Sequence, residues 1–200
     1  LTHTLAGLLL ADVAVSASAR RTGGAHNQPF RDATFAVAVL ANNFPDLDFL
    51  YSGITGGKLG YLLHHRGHTH TLALAVPQSL ACYGLVALAL GLRKKRLSGF
   101  EKLVLLGVAL LGPLLHIAMD FTNNYGVHPF WPLDNRWYYG DLVFIIEPWL
   151  MLGLLLSSFA AVRTGLARVL LGACMLGVLG LAWMLPLIPP LLALALSVFT

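Results

Sequence analysis

Four histidines and an arginine fall within seven consecutive positions, His64, His65, Arg66, His68 and His70, in a chain that is otherwise mostly hydrocarbon. Imidazole is a common ligand for divalent metals and titrates near neutral pH. Two further pairs have suggestive spacing. Asp46 and Asp48 stand two apart behind Pro45, which disfavours helical geometry at Phe44, so both acids are expected on non-helical backbone. His116 and Asp120 stand four apart in an apolar run, one above the other on a single helix face. Each signal alone has an ordinary explanation: a hydrogen-bonded pair, a turn, a helix cap. Together they point to a metal site built from imidazole and carboxylate, a donor set that suits Zn²⁺ best, with Mn²⁺ or Fe²⁺ as alternatives. Neither HExxH nor GxSxG occurs, which argues against the familiar zinc-protease and serine-esterase designs.

The elements that must position these residues are greasy. Hydrophobic residues make up 57% of the 200 and charged ones 11%; mean hydropathy is +0.73. Those values belong to the membrane class. Apolar windows run over Leu72–Leu92, Leu103–Ile117, Leu142–Val162 and Leu166–Ile188, against the roughly 20 residues a crossing needs. Thr2–Ser18 reads as a further helix, Ala19–Arg31 as a polar loop, and Asp32 as the N-cap of a short helix to about Phe44. The fold class is therefore all-α, a polytopic membrane bundle of about five to seven hydrophobic helices. The chain starts without Met and stops inside the apolar run Leu191–Phe199, so trimming is expected at both ends. Cys82 and Cys174 lack metal or redox spacing and read as small hydrophobes. A net charge of +4 comes in short clusters between apolar windows, which excludes a nucleic-acid partner and leaves the lipid bilayer as the surroundings.

Charge sidedness ties the elements to the chemistry. Short cytoplasmic loops carry excess Lys and Arg. With Arg93–Arg96 inside and the spans alternating, Arg20, Arg21, Arg31, Lys102, Arg163 and Arg168 also fall inside, ten of the thirteen cations. The same tracing sends seven of the eight histidines and six of the nine acids to the outer helix ends, among them His3, Asp46, Asp48, His65, His68, His70, His116, Asp120, His128, Asp141 and Glu147. Ionisable groups at membrane depth are costly and usually face a bundle interior, and a divalent ion offsets much of that cost.

The segments LTHTLAG, FPDLD, HRGHTHTL, HIAMD and TNNYGVHPFWP, followed by RWYYGDLVFIIEP, resemble the YdjM-like family of LexA-regulated, membrane-bound, metal-dependent hydrolases, over about residues 1–150 and in the family's order. The resemblance implies a multi-pass protein of the bacterial inner membrane. It makes His3, Asp46, Asp48, His65, His70, His116 and Asp120 the candidate ligands, with Arg66 beside them. Asp141 and Glu147 match a later acidic pair, and His68 stands where the family does not demand histidine. Seven ligands exceed one tetrahedral ion, so one or two ions are expected. Residues 1–150 then form the metal-site domain and 151–200 carry further transmembrane helices.

The chemistry expected is hydrolysis of a phosphoester or related ester, in a lipid or lipid-linked substrate reached from the extracytoplasmic face. Asp48 or Asp120 would accept a proton and Arg66 would stabilise charge developing at phosphorus. The alternative is a non-enzymatic metal-binding or metal-transporting membrane protein, which should carry polar groups through the bundle to its far side.

Overall fold

The computed structural model describes residues 1–52, 66–144, 147–162, 164–184 and 190–199. Among them are seven helices of ten residues or more: α1 (Thr2–Thr22), α2 (Gln28–Asn43), α3 (Leu72–Leu92), α4 (Gly99–Phe121), α5 (Pro148–Ala161), α6 (Gly165–Met184) and α7 (Pro190–Phe199). No strand is present among the described residues, only two isolated bridges, Asn123 with Val143 and Val127 with Tyr138. Helices α1, α3, α4 and α6 are long and apolar enough to cross a membrane, in keeping with an all-α membrane bundle.

Several boundaries differ from the expected ones for local reasons. Helix α1 runs through Arg20 and Arg21 and stops at Gly23, whose φ of 70° ends the helix in a left-handed cap. Helix α2 starts earlier than Asp32, because the Asn27 side chain accepts from the Phe30 amide at 2.9 Å and Pro29 fits the first turn. Asp32 therefore sits inside the helix. Phe44 keeps helical angles (φ −61°, ψ −40°) despite the following proline, and Pro45–Asp48 forms a 3₁₀ turn. Within the Leu142–Val162 window the helix α5 spans Pro148–Ala161, and at the window's start the Leu142 and Val143 amides donate to the Thr122 carbonyl instead. Helix α5 has 14 residues, about 21 Å at 1.5 Å each, less than the hydrocarbon core.

Helix α2 is the central post, packed on α1, α3 and α4. Its inward residues are small: Ala33, Ala38 and Ala41 are buried with Val37 and Phe30. Glycines on two of these neighbours let it approach. A Cβ on Gly7 of α1 would lie 2.9 Å from the Ala38 carbonyl oxygen, and one on Gly112 of α4 would collide with Ala41. In lipid, close backbone packing replaces the hydrophobic drive as the source of helix association, so such contacts carry the fold. A second cluster joins Leu5 of α1 to Leu152 and Leu155 of α5, Leu171 and Val178 of α6, and Leu196 of α7. The start of α1, the end of α2, the start of α3 and the end of α4 thus meet at one end of the bundle, where Thr4 donates to Asn43 at 3.0 Å and the Leu72 amide donates to the Pro129 carbonyl.

Candidate metal centre

Four side chains from three separate elements converge at that end. Asp46 comes from the 3₁₀ turn after α2, His70 from a second 3₁₀ turn (His68–His70) before α3, and His116 and Asp120 from the last two turns of α4. Each offers one ligand atom, and all four lie within 4.8 Å of one another. The two Nε2 atoms are 3.0 Å apart. Asp120 Oδ2 is 3.2 Å from His70 Nε2 and 3.4 Å from His116 Nε2. Asp46 Oδ1 is 3.6 Å from the first and 3.5 Å from the second. Donors about 2.0–2.1 Å from a tetrahedral ion stand about 3.3 Å from one another. The five separations bracket that edge.

The hydrogen bonds around the cluster fix which atoms face inward. His116 Nδ1 lies 2.6 Å from the Asn42 carbonyl oxygen. A carbonyl only accepts, so Nδ1 carries the hydrogen and Nε2 turns its lone pair inward. His70 Nδ1 lies 3.0 Å from Thr69 Oγ1, and Thr69 in turn donates to Asp48 Oδ2 at 3.2 Å. His70 Nε2 is therefore also left as an acceptor. Two imidazole lone pairs 3.0 Å apart repel unless a cation, a proton or a metal ion, lies between them. Asp120 Oδ2, buried and lacking a hydrogen-bond partner, faces the same point. With no ion present and the imidazoles protonated instead, burial would raise the Asp46 carboxyl, but hydrogen bonds donated by His116 and His70 outweigh it and hold the group well below the usual carboxylate range. These residues fit a divalent ion.

The remaining expected site residues divide into neighbours and bystanders. His3 stacks on the His116 ring at 3.7 Å between centroids and places Nε2 3.3 Å from Asp120 Oδ1. Arg66, with φ of 58°, donates from its side chain to Asp120 Oδ1 at 2.9 Å, Asn123 Oδ1 at 3.0 Å and the Gly126 carbonyl at 3.3 Å, and lies over the Tyr125 ring. Asp48 is wholly buried. Its Oδ2 accepts from the Arg66 amide at 2.8 Å and lies 3.7 Å from His70 Nδ1, on the side of that ring away from the cluster. From there it orients imidazole through Thr69, and it is not among the residues that line the adjoining cleft.

Asp141 is exposed with φ of 51° and is not among the four clustered side chains. His68 is exposed and meets the edge of Trp131. His128 is buried against Trp137, hydrogen bonded to Asn135. His64 and His65 lie outside the described residues.

A cleft of about 470 Å³ opens onto the cluster, lined by His3, Asp46, Arg66, Asp120 and Glu147 and, on apolar surface, by Phe49, Met119, Phe144 and Leu150. The supporting residues Asn42, Thr69 and Asn123 escaped sequence reasoning. Asn42 acts through its backbone carbonyl, which leaves no trace in residue type. Thr69 stands inside the histidine run, and that position was the available signal.

No curated protein and no solved structure matches the chain. The family described as YdjM inner membrane protein matches residues 1–188, a range that takes in all four residues of this cluster and runs past residue 150 through α6. The chain therefore belongs to the YdjM inner membrane protein family.

Proposed function

We propose that Asp46, His70, His116 and Asp120 hold a divalent metal ion, Zn²⁺ first among the alternatives, and that the protein is a membrane-embedded metal-dependent hydrolase. The observation that carries this reading is the pair of inward-facing Nε2 atoms 3.0 Å apart with the partnerless Asp120 Oδ2 beside them. A bound divalent ion supplies a Lewis acid and a water that ionises near neutral pH.

The chain's own groups do the rest. Asn42 and Thr69 keep both imidazoles in the ligating tautomer, and Asp48 anchors Thr69. Arg66 pins Asp120 Oδ1, leaving Oδ2 turned toward the imidazoles, and its guanidinium lines the cleft where an anionic group would lie. Glu147, at the start of α5, brings a carboxylate to the same cleft and is the group we assign to accept a proton from the attacking water. Phe49, Met119, Phe144 and Leu150 offer apolar surface beside these polar groups, which supports an amphiphilic substrate, a lipid or lipid-linked phosphoester or related ester. Positive charge gathered at the far end supports an extracytoplasmic site.

Elemental analysis of detergent-purified protein, with a panel of phosphorylated lipids assayed alongside, tests the reading. The expected result is about one or two divalent ions per chain and metal-dependent phosphate release, with Asp46→Ala and His116→Ala losing both. Metal content without turnover on any ester would favour the non-enzymatic metal-binding alternative. Full metal content in both variants would overturn the ligand assignment.

A further inference from the structure

The end of the bundle remote from the metal cluster holds a second, chemically different hollow. A groove of about 670 Å³ runs between α2 and α3, walled by Ala33, Ala36 and Leu40 on one helix and Leu85, Val86 and Ala89 on the other. Arg93 and Lys95 also line it. The acid among its described lining residues, Asp32, already accepts from Gln28 Nε2 at 2.6 Å. Leu40 and Leu85 are exposed, so the groove faces whatever surrounds the bundle.

The chain is turned to bring its cations there. After Leu92, the Lys94 amide donates to the Gly91 carbonyl and the Lys95 amide to the Leu90 carbonyl, both at 2.9 Å. These are the two bonds of a Schellman turn. Its left-handed position, ordinarily a glycine, is held by Lys94 at φ 52°. The turn folds the run Arg93–Arg96 back on the helix end, so that Lys95 shares the groove with Arg93.

In a bilayer, aliphatic walls of this kind accept an acyl chain from any lipid. The cations at the helix end discriminate: each Lys or Arg near an anionic membrane surface favours binding by about fivefold. We propose that this groove binds one anionic phospholipid from the leaflet at the cationic end, its acyl chain along Leu40 and Leu85 and its phosphate against Arg93 and Lys95. The site is separate from the metal cluster and does not depend on it.

Native mass spectrometry of the purified chain, released from micelles containing equal phosphatidylglycerol and phosphatidylcholine, tests the proposal. The wild type should retain one phosphatidylglycerol in preference to phosphatidylcholine. The double variant Arg93→Gln/Lys95→Gln should reduce that preference by about tenfold or more, as two cations imply. The charge-matched Arg20→Gln/Arg168→Gln protein should keep it, and unchanged thermal transitions in both variants would show that the fold survives. Equal retention of the two lipids by the wild type would overturn the proposal. So would the same loss in both double variants, which would mean net charge rather than a site. A wild-type dimer broken by Leu40→Trp would give the groove to a second copy of the chain instead.

Discussion

Histidine meets carboxylate at both ends of this bundle, with opposite results. At the cationic end, His26 Nδ1 lies 3.1 Å from Glu101 Oε1. The other oxygen, Oε2, accepts from the Ser98 amide at 2.8 Å, while Ser98 Oγ accepts from the Glu101 amide at 3.2 Å, a closed capping box at the start of α4. Both Glu101 oxygens are engaged. At the other end of the same helix, Asp120 gives Oδ1 to Arg66 and His3 and leaves Oδ2 without a partner before two imidazole lone pairs. The residue types are nearly the same. A closed set of partners makes a staple; an incomplete one, preorganised by neighbours, makes a place for a cation.

The largest separation between the two ends should come from the imidazoles. His70→Ala or His116→Ala should weaken metal binding by more than about 100-fold, beyond the range of substitutions that only support a ligand, whereas His26→Ala should leave metal content unchanged; titration with Zn²⁺ measures both. Next in size is the support behind His70. Thr69→Val removes both the acceptor for His70 Nδ1 and the donor to Asp48, and affinity should fall about 10- to 100-fold with the four ligands intact. The staple responds in the opposite currency: Ser98→Ala should cost about 1 kcal/mol of stability, read as a lower thermal transition in detergent, with metal occupancy unaltered.

Acid gives the finest cut. Asp46 titrates below an ordinary carboxylate, so its folded value lies under its unfolded one. The stability it contributes is complete above about pH 4 and is lost only as the pH falls through the lower, folded value. Lowering the pH from 7 to about 5 therefore leaves Asp46 ionised. Protons compete with a metal ion for its ligands, so occupancy should fall in that interval with the Asp46 carboxylate still charged; full occupancy down to about pH 5 would break the distinction.

Much of the site was legible because its chemistry is written in residue types that a membrane segment otherwise avoids. His116 and Asp120 stand out inside an apolar run, and their spacing of four fixed a shared face. His70 and Asp46 were drawn in by alternation of spans, which requires only the correct parity of crossings. What the sequence could not convey was depth within the pocket. Asp46 and Asp48 differ by two residues, yet a 3₁₀ turn directs one toward the imidazoles and the other behind His70. The period of that turn, formed where non-helical backbone was expected, decides which acid faces which way. Asp141 looked equivalent to Glu147 in the sequence, yet it is Glu147 that lines the cleft. In the fold, the close approach of α2 to Gly7 and Gly112 was hidden, because glycines in apolar runs carry no sign of which neighbour they admit.

The metal cluster takes Asp46 from ahead of α3 and its last two members from the far end of α4, so a whole out-and-back hairpin separates the first donor from the last. During synthesis Asp46 is already made while Asp120 is some 70 residues from leaving the ribosome. No partial chain ending before α4 can assemble the four donors. On the proposed reading, loading with metal would be a late step of biogenesis, and a filled centre would certify that the hairpin had been inserted.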